Sequence, residues 1–118
     1  MNSIMQITNN NGKSCYEGHI GDKVVGVVVY KRIGGRIVIR HTVIEPEYRG
    51  SGLGTELVRT VLDDLAERGD KLTNYCGFVA DFIADNPEYQ SVVDTDRPGV
   101  TAPRDKRGLD GVTPAPYQ

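Results

Sequence analysis

The sequence predicts one small α/β domain, of the α+β kind, in the order β-β-β-α-β-α, with antiparallel strands at its start and a parallel pair later. Three observations carry this. Short apolar runs are separated by glycine turns through Ile44, one amphipathic stripe follows a glycine-rich loop, and the strand after that stripe requires a crossover. With 118 residues the chain suits one domain and lies near the lower limit for a core that needs neither metal nor disulfide.

Residues 13–20 alternate weakly, and Gly21-Asp22 interrupts them before Val24, Val25, Gly26, Val27, Val28, Val29 and Tyr30, a hairpin signal. The second run is apolar on both faces, as in an interior strand covered by helices on one side and a partner layer on the other. Gly34-Gly35 makes the next turn, and residues 36–44 read as a third strand. Strict alternation puts Ile37, Ile39, His41 and Val43 on one face and Val38, Arg40, Thr42 and Ile44 on the other. After Glu45-Pro46, the residues Leu53, Leu57, Val58, Val61, Leu62 and Leu65 recur at helical spacing up to Gly69, a usual helix stop. Residues 71–76 read as a fourth strand, parallel to the third because a helix joins them. Phe78, Val79, Phe82 and Ile83 return to helical spacing, and Asn86-Pro87 ends or bends that helix. The domain is expected over residues 1–93. Residues 94–118 hold four of the six prolines and three glycines, a composition expected of a disordered tail.

The net charge of -2, with both signs spread along the chain, argues against a nucleic-acid partner. Residues 1–8 carry no basic leader, and no apolar run approaches the roughly 20 residues that span a bilayer, so no membrane partner and a cytoplasmic location are expected. Cys15 and Cys76 lie far apart and outside any zinc spacing, so no metal is expected. Each is a reduced thiol, either a small buried hydrophobe or a functional group.

Arg49-Gly50-Ser51-Gly52-Leu53-Gly54 sits between a strand and an amphipathic helix. The first amides of a helix lack intrahelical partners, the macrodipole is positive there, and glycines let an anion approach the backbone. Arg49 adds a charge-assisted donor. A Walker loop is excluded because Glu56 and Leu57 stand where Lys and Ser or Thr are needed. A Rossmann turn is excluded because the next strand ends in Asn74, Tyr75 and Cys76, without the acidic residue. The remaining alternatives are a phosphate site and a loop that only permits tight helix packing.

The run Glu47-Tyr48-Arg49-Gly50-Ser51-Gly52-Leu53-Gly54 resembles motif A of the GNAT superfamily of acyl-CoA-dependent N-acyltransferases. His41-Thr42 before it, Cys76-Gly77-Phe78-Val79 after it and Asn86-Pro87-Glu88-Tyr89 further on resemble the short, single-motif GNAT-like proteins. The resemblance covers residues 13–93. It implies a GNAT-like mixed sheet with a splayed parallel pair and acetyl-CoA as co-substrate or ligand. By position, Thr42, Val43 and Ile44 would line the pantetheine arm, and Arg49, Gly50, Ser51, Gly52, Leu53, Gly54 and Thr55 would hold the phosphates. The thioester would point into the splay near Cys76, where Asn74 offers an amide. The family often has Glu-Val after His-Thr; here Val43-Ile44 stands instead, so no acidic group acts there.

Acyl transfer to an amine needs a base, donors for the oxyanion and an acid for the departing thiolate. His41 suits acid or base work near neutral pH, or is a strand histidine satisfied locally. Cys76, where a strand meets a helix N-terminus, is a candidate acyl-cysteine nucleophile, or only a small residue tolerated beside the ligand. Tyr75 and Tyr89 stand nearest the position of the usual tyrosine acid without matching its string; Phe78 and Phe82 read as core. Cys15 has no role. Two functions from different classes follow: acetyl transfer to an unknown small-molecule or protein amine, and a module that binds or senses acyl-CoA without turnover. A plain interaction domain is the third.

Overall fold

The hairpin and crossover signals resolve into one five-stranded sheet in the order β1-β2-β3-β4-β5. The computed structural model describes residues 5–100. Strands β1 (Gln6–Asn10), β2 (Cys15–Ile20), β3 (Lys23–Ile33) and β4 (Arg36–Ile44) are antiparallel, and β5 (Lys71–Asn74) lies parallel to β4. Helix α1 (Leu53–Arg68) makes the crossover, and α2 (Gly77–Asp85) follows β5. The mixed α/β architecture is the one the sequence predicts.

Strand β1 was not anticipated, because Gln-Ile-Thr-Asn-Asn offers almost no apolar alternation. Its place comes from pairing: each residue faces one of β2, from Gln6 opposite His19 to Asn10 opposite Cys15. The Tyr30 hydroxyl pegs the turn after it by donating to Asn9 Oδ1 at 2.7 Å.

Both helices pack on one face of the sheet. Leu57, Val58, Val61, Leu62 and Leu65 of α1 are buried there with Val28, Ile37, Ile39 and Leu72. The helices also touch each other, the Arg59 guanidinium lying 5.1 Å from the centre of the Phe82 ring. Among the described residues no helix covers the other face; Val27 and Val29 are half-buried and Val43 is exposed there. This corrects the expectation of a second covering layer over β3.

The strict alternation expected of β4 is also corrected. Val29 pairs with His41 but Tyr30 pairs with Ile39, so Arg40 is an extra residue in β4. Such a bulge shifts the facing of everything beyond it. Ile37 and Ile39 point to the helices, and past the bulge it is Thr42 and Ile44 that do so, both buried. His41 and Val43 turn to the bare face, where both are exposed.

β4 pairs with β5 only from Arg36 to Ile39, and the last bond across them is Tyr75 N–H to the Ile39 carbonyl at 2.9 Å. Beyond it the strands part. On the outer edge of β5, residues 94–100, which composition assigns to the tail, run alongside instead. Leu72 bridges Val93 and Asn74 bridges Gly99, both in parallel. Thr73 Oγ1 donates to the Arg97 carbonyl at 2.6 Å, and Asn74 N–H to the Pro98 carbonyl at 3.0 Å. An uncovered strand edge carries unpaired backbone groups, and satisfying them outweighs the low hydrophobicity of this segment. The rest of the expected tail, 101–118, lies outside the described residues.

Tyr16 on β2 is buried against α1, its hydroxyl donating to Asp64 Oδ2 at 2.5 Å. Burial first, and then the bond to Asp64, raise its pKa well above the ordinary tyrosine range. The folded state therefore holds this proton more tightly than the unfolded chain. Its stability contribution is complete below about pH 10 and is lost as the pH rises from there toward the folded-state value. Denaturant titrations from pH 8 to 11 should show stability falling above about pH 10, with a shallower fall in Tyr16→Phe.

Candidate functional site

Where β4 leaves β5, a groove of about 380 Å³ opens toward the start of α1, within the size range of small-molecule sites. Thr42 and Ile44 form its β4 wall, the turn supplies Tyr48, Arg49, Gly50 and Gly52, and Gly54, Thr55 and Phe78 complete it from the two helices.

The three glycines of the turn do different work. Gly50 and Gly52 have φ of 79° and 88°, a conformation that side chains disfavour, and no atom lies within 4 Å of a Cβ placed on either. Gly54 is in helix α1, and a Cβ there would stand 3.1 Å from Phe78 Cζ, so it serves the approach of α2. Gly54 thus serves helix packing, while Gly50 and Gly52 leave their corner of the loop open. Among the described residues, the amides of Gly50, Ser51, Gly52, Leu53, Gly54 and Thr55 meet no acceptor. They lie at the positive end of a 16-residue helix. The corner is not filled by the protein's own groups: Ser51 Oγ turns back to the Tyr48 carbonyl at 2.5 Å. Unpartnered amides and bare glycines fit a diphosphate such as that of coenzyme A.

Arg49 Nε donates to the Ile44 carbonyl at 3.1 Å and locks the turn to the strand. That carbonyl therefore points away from β3, toward the gap, and by alternation so do the N–H and C=O of Thr42. Tyr48 is held from outside by Lys23, whose Nζ lies 5.6 Å from the ring centre and 2.6 Å from Glu47 Oε2.

Cys76 is the N-cap of α2 and is fully buried, its Sγ 3.5 Å from Thr42 Oγ1. It stands behind Thr42 rather than in the groove wall. His41 is on the other face of the sheet, so the two catalytic candidates are not brought together in one hydrogen-bonded pair. Val43 shares the bare face, and Leu53 packs against the core. Asn74 also stands apart from the groove: its side chain is spent on the backbone of Cys76, accepting from N–H at 3.0 Å and donating to C=O at 2.9 Å. Tyr89 donates to Asp63 Oδ1 at 2.7 Å and ties the segment after α2 to α1. Tyr75 is 59% exposed. Cys15 is buried, and its thiol is pushed up by burial and then by Glu17, which keeps it protonated and inert.

Sequence reasoning missed Tyr48 and Phe78 as groove residues. Tyr48 had a signal, since it directly precedes Arg49 in the loop. Phe78 had none beyond helical spacing, which cannot tell a core face from a groove wall.

Comparison with known proteins accords with this geometry. A family model described as GCN5-related N-acetyl-transferase matches residues 15–92. Protein NATD1 of Gallus gallus and of Mus musculus are each 32% identical over 62 residues, which is 52% of this chain and 56% of the relative. Protein NATD1 of Homo sapiens is likewise 32% identical over 62 residues, 55% of its length. The chain thus spans little more than half the length of these curated relatives. With the matched span running from β2 to the end of α2 and beyond, the chain belongs to the GCN5-related N-acetyltransferase family.

Proposed function

We propose that this protein transfers an acetyl group from acetyl-CoA to an amine, with the groove beside β4 holding the coenzyme. The observation that carries the reading is the row of unpartnered amides from Gly50 to Thr55 at the head of α1. They would grip the diphosphate, with Arg49 beside them. The N–H and C=O of Thr42 on the edge of β4 would pair with the amide groups of the pantetheine arm, as a neighbouring strand would, with the Ile44 carbonyl already taken by Arg49. Acetyl-CoA supplies the activated acyl thioester.

One of the chain's own groups then acts. The Cys76 sulfur attacks the thioester carbonyl, an S–C bond forms to Cys76, the bond to the coenzyme sulfur breaks, and the proton of the Cys76 thiol passes to that sulfur. A neutral acceptor amine then attacks the acyl-cysteine, the S–C bond breaks, and the amine's proton passes to the departing sulfur, returning the thiol. His41, exposed on the opposite face of the sheet from Cys76, takes no part in this step, and the amine arrives in its neutral form. Two unbridged cysteines suit a reducing compartment, and a cytoplasmic setting is part of the proposal. No helix among the described residues is long and apolar enough to cross a membrane.

One observation favours the second reading, a binding or sensing module without turnover: Cys76 is 0% exposed behind Thr42. Titrating acetyl-CoA while following backbone amide resonances, then adding a small amine and measuring free CoA, separates the two. The proposal expects shifts concentrated at residues 42–44 and 49–55, followed by CoA release that depends on the amine. Shifts without release leave the module; no shift at these residues removes both.

A further inference from the structure

We infer that Asn74 is a positioning residue for the Cys76 thiol and that the 97–100 segment holds Asn74 in place, an inference that rests on the acyl-transfer reading above. Asn74 is 1% exposed, and every polar group it owns is used. Its side-chain carbonyl accepts from Cys76 N–H at 3.0 Å, and its side-chain amide donates to the Cys76 carbonyl at 2.9 Å and to the Val100 carbonyl at 3.4 Å. Its backbone works on the other side, donating to the Pro98 carbonyl at 3.0 Å and accepting from Val100 N–H at 2.5 Å. One residue therefore grips the 97–100 segment with its main chain and Cys76 with its planar end.

The chemistry is particular to Asn at this size. It offers one acceptor and two donors in a single plane, where Asp offers only acceptors when ionised and Leu offers nothing. The clasp fixes the peptide of Cys76 where the chain turns from β5 into α2, and the same residue accepts Ala80 N–H at 3.0 Å. With its backbone held at both ends, Sγ is held toward Thr42, whose side chain is the groove wall. The segment behind Asn74 is built for close contact. Gly99 has φ of 75°, and a Cβ on it would lie 2.1 Å from the Asn74 carbonyl oxygen. Any other residue would force the 97–100 segment off β5 and release Asn74.

The test uses the full chain with Asn74→Asp, Asn74→Leu and Gly99→Ala, and three measurements: acetyl-CoA affinity by calorimetry, the rate of acetyl transfer to Cys76 at saturating acetyl-CoA, and the rate of Cys76 alkylation by iodoacetamide without coenzyme. Peptide mass assigns both modifications to Cys76 rather than Cys15. Affinity should be unchanged while the acetylation rate falls about 100-fold in the Asn74 variants, the cost of a small misplacement of a reacting group. Alkylation should accelerate about 10-fold, the factor for losing a buried hydrogen bond that fixes the Cys76 peptide and so keeps its side chain inside. Gly99→Ala should move both rates in the same directions and, leaving the side chains of the core intact, decides the matter by itself if the Asn74 variants do not fold. Rates equal to those of the parent chain overturn the inference. If the parent chain never acetylates Cys76, the acyl-transfer reading has failed separately, and the alkylation rates alone uphold or overturn the hold of Asn74 on the thiol.

Discussion

Gly52→Val is expected to weaken acetyl-CoA binding by about 100-fold while the chain stays folded, since losing two charge-assisted hydrogen bonds costs roughly 3 kcal/mol. Gly52 caps α1 with φ of 88° and ψ of -1°, and no protein atom lies within 4 Å of a Cβ built there. The new side chain therefore meets no clash with the protein and should not unfold it. It instead strains a left-handed turn by about 1–2 kcal/mol and stands at the groove, between a phosphate and the amides of Leu53 and Gly54. Calorimetric titration beside a thermal melt reads both effects. A folded variant that binds acetyl-CoA as the parent does would remove the turn from the site.

Cys76→Ala should abolish the covalent acetyl adduct and leave coenzyme affinity as it was. The sulfur touches Thr42 Oγ1 from behind the groove wall, so its loss deletes a nucleophile without changing the lining. The small cavity left in the core costs about 1 kcal/mol of stability. Intact mass after mixing with acetyl-CoA reads the outcome: one acetyl group on the parent chain, discharged by an added amine, and none on the variant. Cys15 provides an internal control, being held as a thiol by burial and by Glu17. If the variant acetylates the amine at the parent rate, Cys76 is packing and the acyl group passes directly from the coenzyme.

Much of this architecture was legible because it rests on local pattern. The α1 stripe, the glycine stop at Gly69 and the parallel crossover each follow from spacing that only one element satisfies. The glycine turn from Arg49 to Gly54 ahead of α1 was legible for the same reason, since its left-handed positions at Gly50 and Gly52 call for glycine. What was not legible depends on partners distant in sequence. β1 is polar and exists because β2 offers an edge; residues 94–100 are ordered because β5 offers another. The bulge at Arg40 leaves no mark in the hydrophobic pattern, since Ile37, Val38 and Ile39 are apolar on both faces, and so the sidedness of His41 and Thr42 was read in reverse. Asn74 reads in sequence as an amide offered at the splay, whereas in the fold its side chain is taken up by the backbone of Cys76 and Val100, a contact that spacing does not reveal.

That extra residue in β4 also makes the strand a matter of parity. Its first half must present isoleucines to the helices as a floor, and its second half must present Thr42 and Ile44 to the same side as a wall, three and five positions after Ile39 rather than two and four. Odd offsets reach the same side only across an irregularity. Removing one residue between Ile39 and Thr42 would therefore keep the floor and restore an unbroken ladder to β3, yet it would straighten the strand where it now bends away from β5. A gain in regular pairing would come at the expense of the opening between β4 and β5 from which the groove is built.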